Sequence, residues 1–182
     1  MHAVAIVVLC IGSAVAYGIV HDQITARVCV EYFTIGHPPV FDTESPALLG
    51  IGWGIIATWW AGLLLGIPLA IAARAGHGPK RSASSLVRPI FTLLAVMGVS
   101  ALLAGIVGFN LGRNGTVYLL DPMASLVPLD RQARFLADLW AHSTSYLVGF
   151  VGGTVVIVRV WRSRGRRVAS RQPDVDSTGT NS

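Results

Sequence analysis

ALLGIGWGIIATWWAGLLLGIPLAIAA, residues 47–73, runs for twenty-seven positions without one charged side chain. At ~1.5 Å of rise per residue such a helix is longer than the roughly 30 Å hydrocarbon core of a bilayer, so the stretch spans a membrane with tilt to spare. Ser45 stands where it can cap the first free N–H groups, and Pro46 takes the first helical position, where its missing donor costs nothing. Pro68 predicts a kink near the far end. Gly50, Gly54, Gly62, Gly66 and Ala70 recur every fourth residue, with Thr58 completing the row, and make one face of small side chains. Lipid removes the hydrophobic drive between helices, so close backbone approach across such a face becomes the main source of packing energy.

The rest of the chain supports the same class. Of 182 residues, 53% are hydrophobic and 13% charged, and the mean hydropathy is +0.61. Average soluble domains carry about 25% charged residues, so this chain is expected to meet lipid. Ala3 to Val20 is uncharged over eighteen positions. Ala14-Val15-Ala16 fits a signal-peptide cleavage site, but Met1 and His2 bring no Lys or Arg ahead of it, so an uncleaved first span is expected. With no Gly or Pro between Ile19 and Ile35, that helix is expected to continue past the membrane through Tyr32. A third span is predicted over 89–111, with Gly98, Gly105, Gly108 and Gly112 on one face. Trp140 and Trp161, twenty-one residues apart, sit at the spacing of two aromatic belts and set a fourth span over 139–161, with Gly149 and Gly153 as its small face. The predicted fold is therefore all-α. It is a four-helix transmembrane bundle with glycine-rich helix interfaces over residues 1–162, its spans at about 3–20, 47–73, 89–111 and 139–161, followed by a disordered basic tail over 163–182.

Charge placement gives an expected orientation. The connector after the second span and the end of the fourth hold ten of the fourteen Lys and Arg residues: Arg74, Lys80, Arg81, Arg88, Arg159, Arg162, Arg164, Arg166, Arg167 and Arg171. By the positive-inside rule those segments and both termini face the cytoplasm of a cell bounded by an inner membrane. Seven of the nine acids then face outward. The basic tail reads as a topology anchor, so the lipid bilayer, other membrane subunits or a second copy are the expected partners, and nucleic acid is not.

HDQITARVCVEYFTIGH, residues 21–37, concentrates two of the five histidines, two of the nine acids and one of the two cysteines at the outer end of the first span. Asp138 and His142 lie four apart on the fourth helix and share a face at a similar depth. The candidate polar or metal site is thus His21, Asp22, Asp138 and His142. Glu31 and His37 are secondary, since ten residues of continuous helix would carry Glu31 about 15 Å from His21. These nitrogen and oxygen donors suit zinc, iron or manganese, and imidazoles beside carboxylates also suit a proton relay. The structural alternative is that the histidines hydrogen-bond at the headgroup level while Asp138 pairs with Arg134 and Glu31 with Arg27. No H-E-x-x-H, Glu-x-x-His, G-x-S-x-G or C-x-x-C spacing is present. Cys10 and Cys29 are too far apart along one helix for a disulfide, and Cys29 has no base fixed by spacing to make it a nucleophile.

The phrases YGIVHDQITARVCVEYFTIGHPPVF (17–41) and LGIGWGIIATWWAGLLLG (49–66) resemble a pattern in a family of bacterial multi-pass membrane proteins of uncharacterised function. The resemblance covers roughly the first eighty residues and implies a bacterial cytoplasmic membrane, with no mechanism attached. Two function classes stand beside each other. The first is a small scaffold or accessory membrane subunit built on the glycine faces. The second is a membrane enzyme or transporter using the His/carboxylate cluster. The uncharged second span and the absence of intramembrane charge in the third weaken the transporter form.

Overall fold

The computed structural model describes the backbone of residues 1–169 and the side chains through Arg164. Seven helices follow in order: α1 (His2–Val28), α2 (Val30–Thr34), α3 (Pro46–Ile56), α4 (Trp59–Arg74), α5 (Ser84–Arg113), α6 (Met123–Leu126) and α7 (Gln132–Ala169). Four helical segments are long and apolar enough to cross a membrane: α1, the α3–α4 pair from Pro46 to Arg74, α5, and α7 up to Arg164. The all-α, four-span expectation holds, with each span longer than its apolar core. The helix expected to end at Trp161 runs on to Ala169, into the segment expected to be disordered, and residues 170–182 of that tail lie outside the described residues.

One expected feature of the helices is corrected, and one break is additional. The first helix does not continue through Tyr32. Cys29 is extended, with φ −148° and ψ 98°, and the chain turns there into α2. No Gly or Pro marks this break, because its cause is tertiary: the turn buries Cys29, Tyr32 and Phe33 against Leu49, Trp53, Phe135 and Leu136. In the second span, Pro68 lies inside α4, and a further, unexpected interruption comes at Ala57-Thr58. There Thr58 Oγ1 donates to the Gly54 carbonyl at 2.5 Å, and Tyr146 of α7 donates its hydroxyl to the Ala57 carbonyl at 2.9 Å. A broken helix survives at membrane depth when side chains satisfy the carbonyls it frees.

The small-residue face of α3–α4 lies on α1. A Cβ on Gly54 would fall 2.6 Å from the Ile19 Cα, and one on Gly62 would fall 2.7 Å from the Ile11 Cα. Gly50 meets the Asp22 backbone and Gly66 the Cys10 Cβ, each at 3.0 Å. The other predicted glycines divide by role. Gly105 packs α5 against the Ala137 carbonyl at 3.3 Å, whereas Gly149 and Gly153 are hollows that receive the ends of Met97 and Leu65. Gly98 is not a close-packing position, since its Cβ would meet Tyr17 Cε2 at an ordinary 3.9 Å.

Helices therefore pair as α1 with α3–α4 and as α5 with α7, while the two pairs meet more sparsely. Side chains such as Val99, Leu102, Leu103 and Ile106 on α5 face outward, as lipid contact requires. One apolar cluster closes the end holding α2 and the α5–α7 connector, through Tyr32, Phe33, Trp53, Leu119 and Phe135. A second closes the opposite end through Ile6, Leu69, Leu86, Ile90 and Val160. Gly62→Ala should lower the stability of the detergent-solubilised protein by about 1–3 kcal/mol, because the added methyl meets backbone that must shift. Gly98→Ala, measured by the same thermal melt, should not lower it, since the added methyl fits and alanine favours the helix.

Candidate functional site

α1 and α7 bring three of the four predicted site residues together. Each of His21, Asp22 and His142 offers a ligand atom, and these atoms all lie within 4.8 Å of one another. Asp22 is 4% exposed, and its position follows from the glycine face, since its backbone lies only 3.0 Å from where a Cβ on residue 50 would stand. The His21 and His142 rings meet edge to face with centroids 4.5 Å apart.

His142 has a defined hydrogen-bond polarity. Its Nδ1 lies 2.8 Å from the Asp138 backbone carbonyl, one turn earlier on α7. A carbonyl only accepts, so Nδ1 carries a hydrogen. The other nitrogen, Nε2, faces Asp22 Oδ1 at 3.1 Å. That contact is attractive when a proton on either atom, or a cation, lies between the two. His21 Nε2 and Asp138 Oδ2 are buried close by with no hydrogen-bonding partner among the described residues. Buried polar atoms without partners are costly, and a water or a bound group there would satisfy them.

Asp138 contributes differently from its expected role. Its side chain is 1% exposed but stands outside the ligand-distance set, and among the described residues it makes no ion pair with Arg134. Its backbone orients His142. Glu31 is carried away by the break at Cys29, where it pairs with Arg131 at 3.5 Å and accepts the Cys29 thiol at 3.3 Å. Arg27 bonds Gln23 instead. His37 also lies outside the cluster, with its ring 4.5 Å from that of Trp53 and its Nδ1 donating to the Tyr32 carbonyl at 2.8 Å. Burial first, then the Glu31 bond, pushes the Cys29 thiol up to about 12, which removes it as a nucleophile.

The sequence reading missed the neutral hydroxyls around the cluster. Tyr17 stacks on His21 with centroids 5.7 Å apart and bonds Ser145 at 2.5 Å between oxygens. Tyr17 precedes His21 by four residues, and Ser145 and Tyr146 follow His142 by three and four. The helical period drawn from the two histidines would have found them. The class defined here is a four-span helical protein with a buried His/carboxylate cluster between its first and last spans. No family model, curated protein or solved structure matches the chain.

Burial lowers the His37 imidazole below the ordinary histidine range. The Tyr32 bond raises it, nearby His142 lowers it and Asp22 raises it, and burial prevails. The unfolded chain therefore takes up this proton first as pH falls through about 6.5, whereas the folded chain holds out to a lower pH. The neutral ring's contribution to stability is complete above that pH and is lost on acidification. Melting temperature should fall between about pH 7.5 and pH 5.5, and His37→Gln should make that fall shallower.

Proposed function

We propose that this chain is a multi-pass protein of the bacterial cytoplasmic membrane that binds a divalent transition metal through His21, Asp22 and His142. The observation that carries the reading is the His142 ring, which is fixed by a backbone carbonyl at Nδ1 and turned toward a carboxylate at Nε2. Metal-bound histidines commonly have this arrangement, because a carbonyl on one nitrogen sets the tautomer that presents the other to the ion. The donors suit zinc, iron or manganese. Small side-chain rotations bring atoms within 4.8 Å of one another onto an ion at about 2.0–2.2 Å. Three protein ligands leave a coordination position open, which favours a metal-dependent membrane activity over a purely structural ion.

A scaffold or accessory role draws no support from an unpartnered glycine face. The glycine faces of α3–α4 and α5 are occupied within the chain, by α1 and α7, rather than left for a partner. The charge count and the resemblance to bacterial membrane proteins support an inner-membrane location with both termini cytoplasmic, which puts the cluster at the extracytoplasmic end.

Purified protein incubated with zinc, iron or manganese and then dialysed should retain one metal per chain by elemental analysis. His142→Ala and His21→Ala should lose it and Asp22→Asn should weaken it. Asp138→Asn should keep most of it, because the carbonyl that orients His142 is unchanged. Protein that holds no metal under any of these conditions would exclude the reading. For topology, a phosphatase fused after Ser182 should be inactive and a fluorescent protein at the same point should fluoresce; the opposite pattern would invert the orientation.

A further inference from the structure

We infer that the space between the two helix pairs binds an uncharged single-chain lipid with a ring head, of the prenylated quinone class, with its ring beside His21 and its chain running down the bundle. The pairs enclose a cavity of about 160 Å³. It reaches from Cys10 to Asp22 along α1, twelve residues or about 18 Å of helix. That volume over that length describes a narrow channel suited to one chain. Its body is lined by apolar groups, including Leu65, Leu69, Leu94, Met97 and Ile157. Cavities with such walls stay dry and take apolar ligands.

The polar groups gather at one end, where aromatic rings surround them. Tyr17, Tyr32, Trp53 and Tyr146 line the cavity beside His21 and His142. Flat rings on several sides suit a flat head group, and imidazole and phenol groups suit its carbonyl or hydroxyl oxygens. Among the described residues no Lys or Arg lines the cavity, while Asp22 does. The permanent charge on the lining is therefore negative, which disfavours a carboxylate or phosphate head and favours an uncharged one.

Apolar clusters close both ends of the bundle, so a ligand reaches this space from the side. α1 and α5 touch sparsely, and at Gly98 the Tyr17 ring stands 3.9 Å from the position of an added Cβ. A hydrophobic chain dissolved in the bilayer meets that seam directly.

The inference stands on the cavity and its lining, with or without a metal at the polar end. The test measures binding of radiolabelled decylubiquinone to the full chain in nanodiscs with chelator present, against protein-free nanodiscs. Dodecanoic acid and dodecanol serve as competitors. Decylubiquinone should bind saturably, and each competitor should displace it at least about tenfold less well than unlabelled decylubiquinone. Ala61→Phe and Leu93→Phe fill the cavity from different helices, and each should weaken binding by about tenfold or more. Only variants that elute as one species with unchanged helical circular dichroism are scored. No saturable binding, equal displacement by dodecanoic acid or dodecanol, or unchanged binding in both folded variants overturns the inference. Quinone binding in a protein that never holds metal would leave it intact and reject the metal site alone.

Discussion

The contact on which the structure depends is the approach of α1 to the glycine face of α3–α4, backbone against backbone. At Gly54 and Gly62 there is no room for a methyl group. In lipid no hydrophobic force compels two apolar helices together, so this closeness supplies the dispersion contacts that hold them. It also fixes α1 in rotation. With Gly50 against the Asp22 backbone, Asp22 and His21 turn toward α7, where His142 waits on the facing helix. The space between the pairs exists for the same reason, because each pair packs tightly within itself and only loosely against the other.

At the opposite end a single side chain does comparable work. Arg164 is 4% exposed and donates to four carbonyls. Its Nη1 reaches Ala72 at 2.6 Å, its Nη2 reaches Ala75 at 2.7 Å and Gly78 at 3.1 Å, and its Nε reaches Pro79 at 2.9 Å. The last carbonyls of a helix have no partners of their own, and a guanidinium suits them both as donor and as positive charge at the negative end of the dipole. Counted only as one of ten basic residues on one side, Arg164 reads as a topology signal. Its fork of donors makes it the cap of α4 and ties the fourth span to the second.

The features legible in the sequence were those with a period or a length. Uncharged runs gave the four spans, and the four-residue spacing from Gly50 to Gly66 gave the face that receives α1. The meeting of His21, Asp22 and His142 followed from their shared depth. Features set by partners elsewhere in the chain were not legible. The break at Cys29 has no local signal because burial of Tyr32 and Phe33 drives it, and it sends Glu31 to Arg131. Pro68 drew attention away from Ala57-Thr58, where the break depends on a tyrosine eighty-nine residues away. Gly98 carried the right spacing but faces the wider gap beside Tyr17.

That tyrosine bond has a mechanical meaning. Ala57 presents its carbonyl at the one point where the second span leaves its own helical ladder, and the hydroxyl that answers it belongs to the other helix pair. Moving the pairs apart there would strand the carbonyl in hydrocarbon with no water to replace the phenol, at about 1–3 kcal/mol. Between α1 and α5 the contact is apolar, with Ile6 in one buried cluster with Leu86 and Ile90. The two pairs are thus pinned at more than one depth, where Tyr146 meets Ala57 and where Tyr17 and Asp22 of α1 meet Ser145 and His142 of α7.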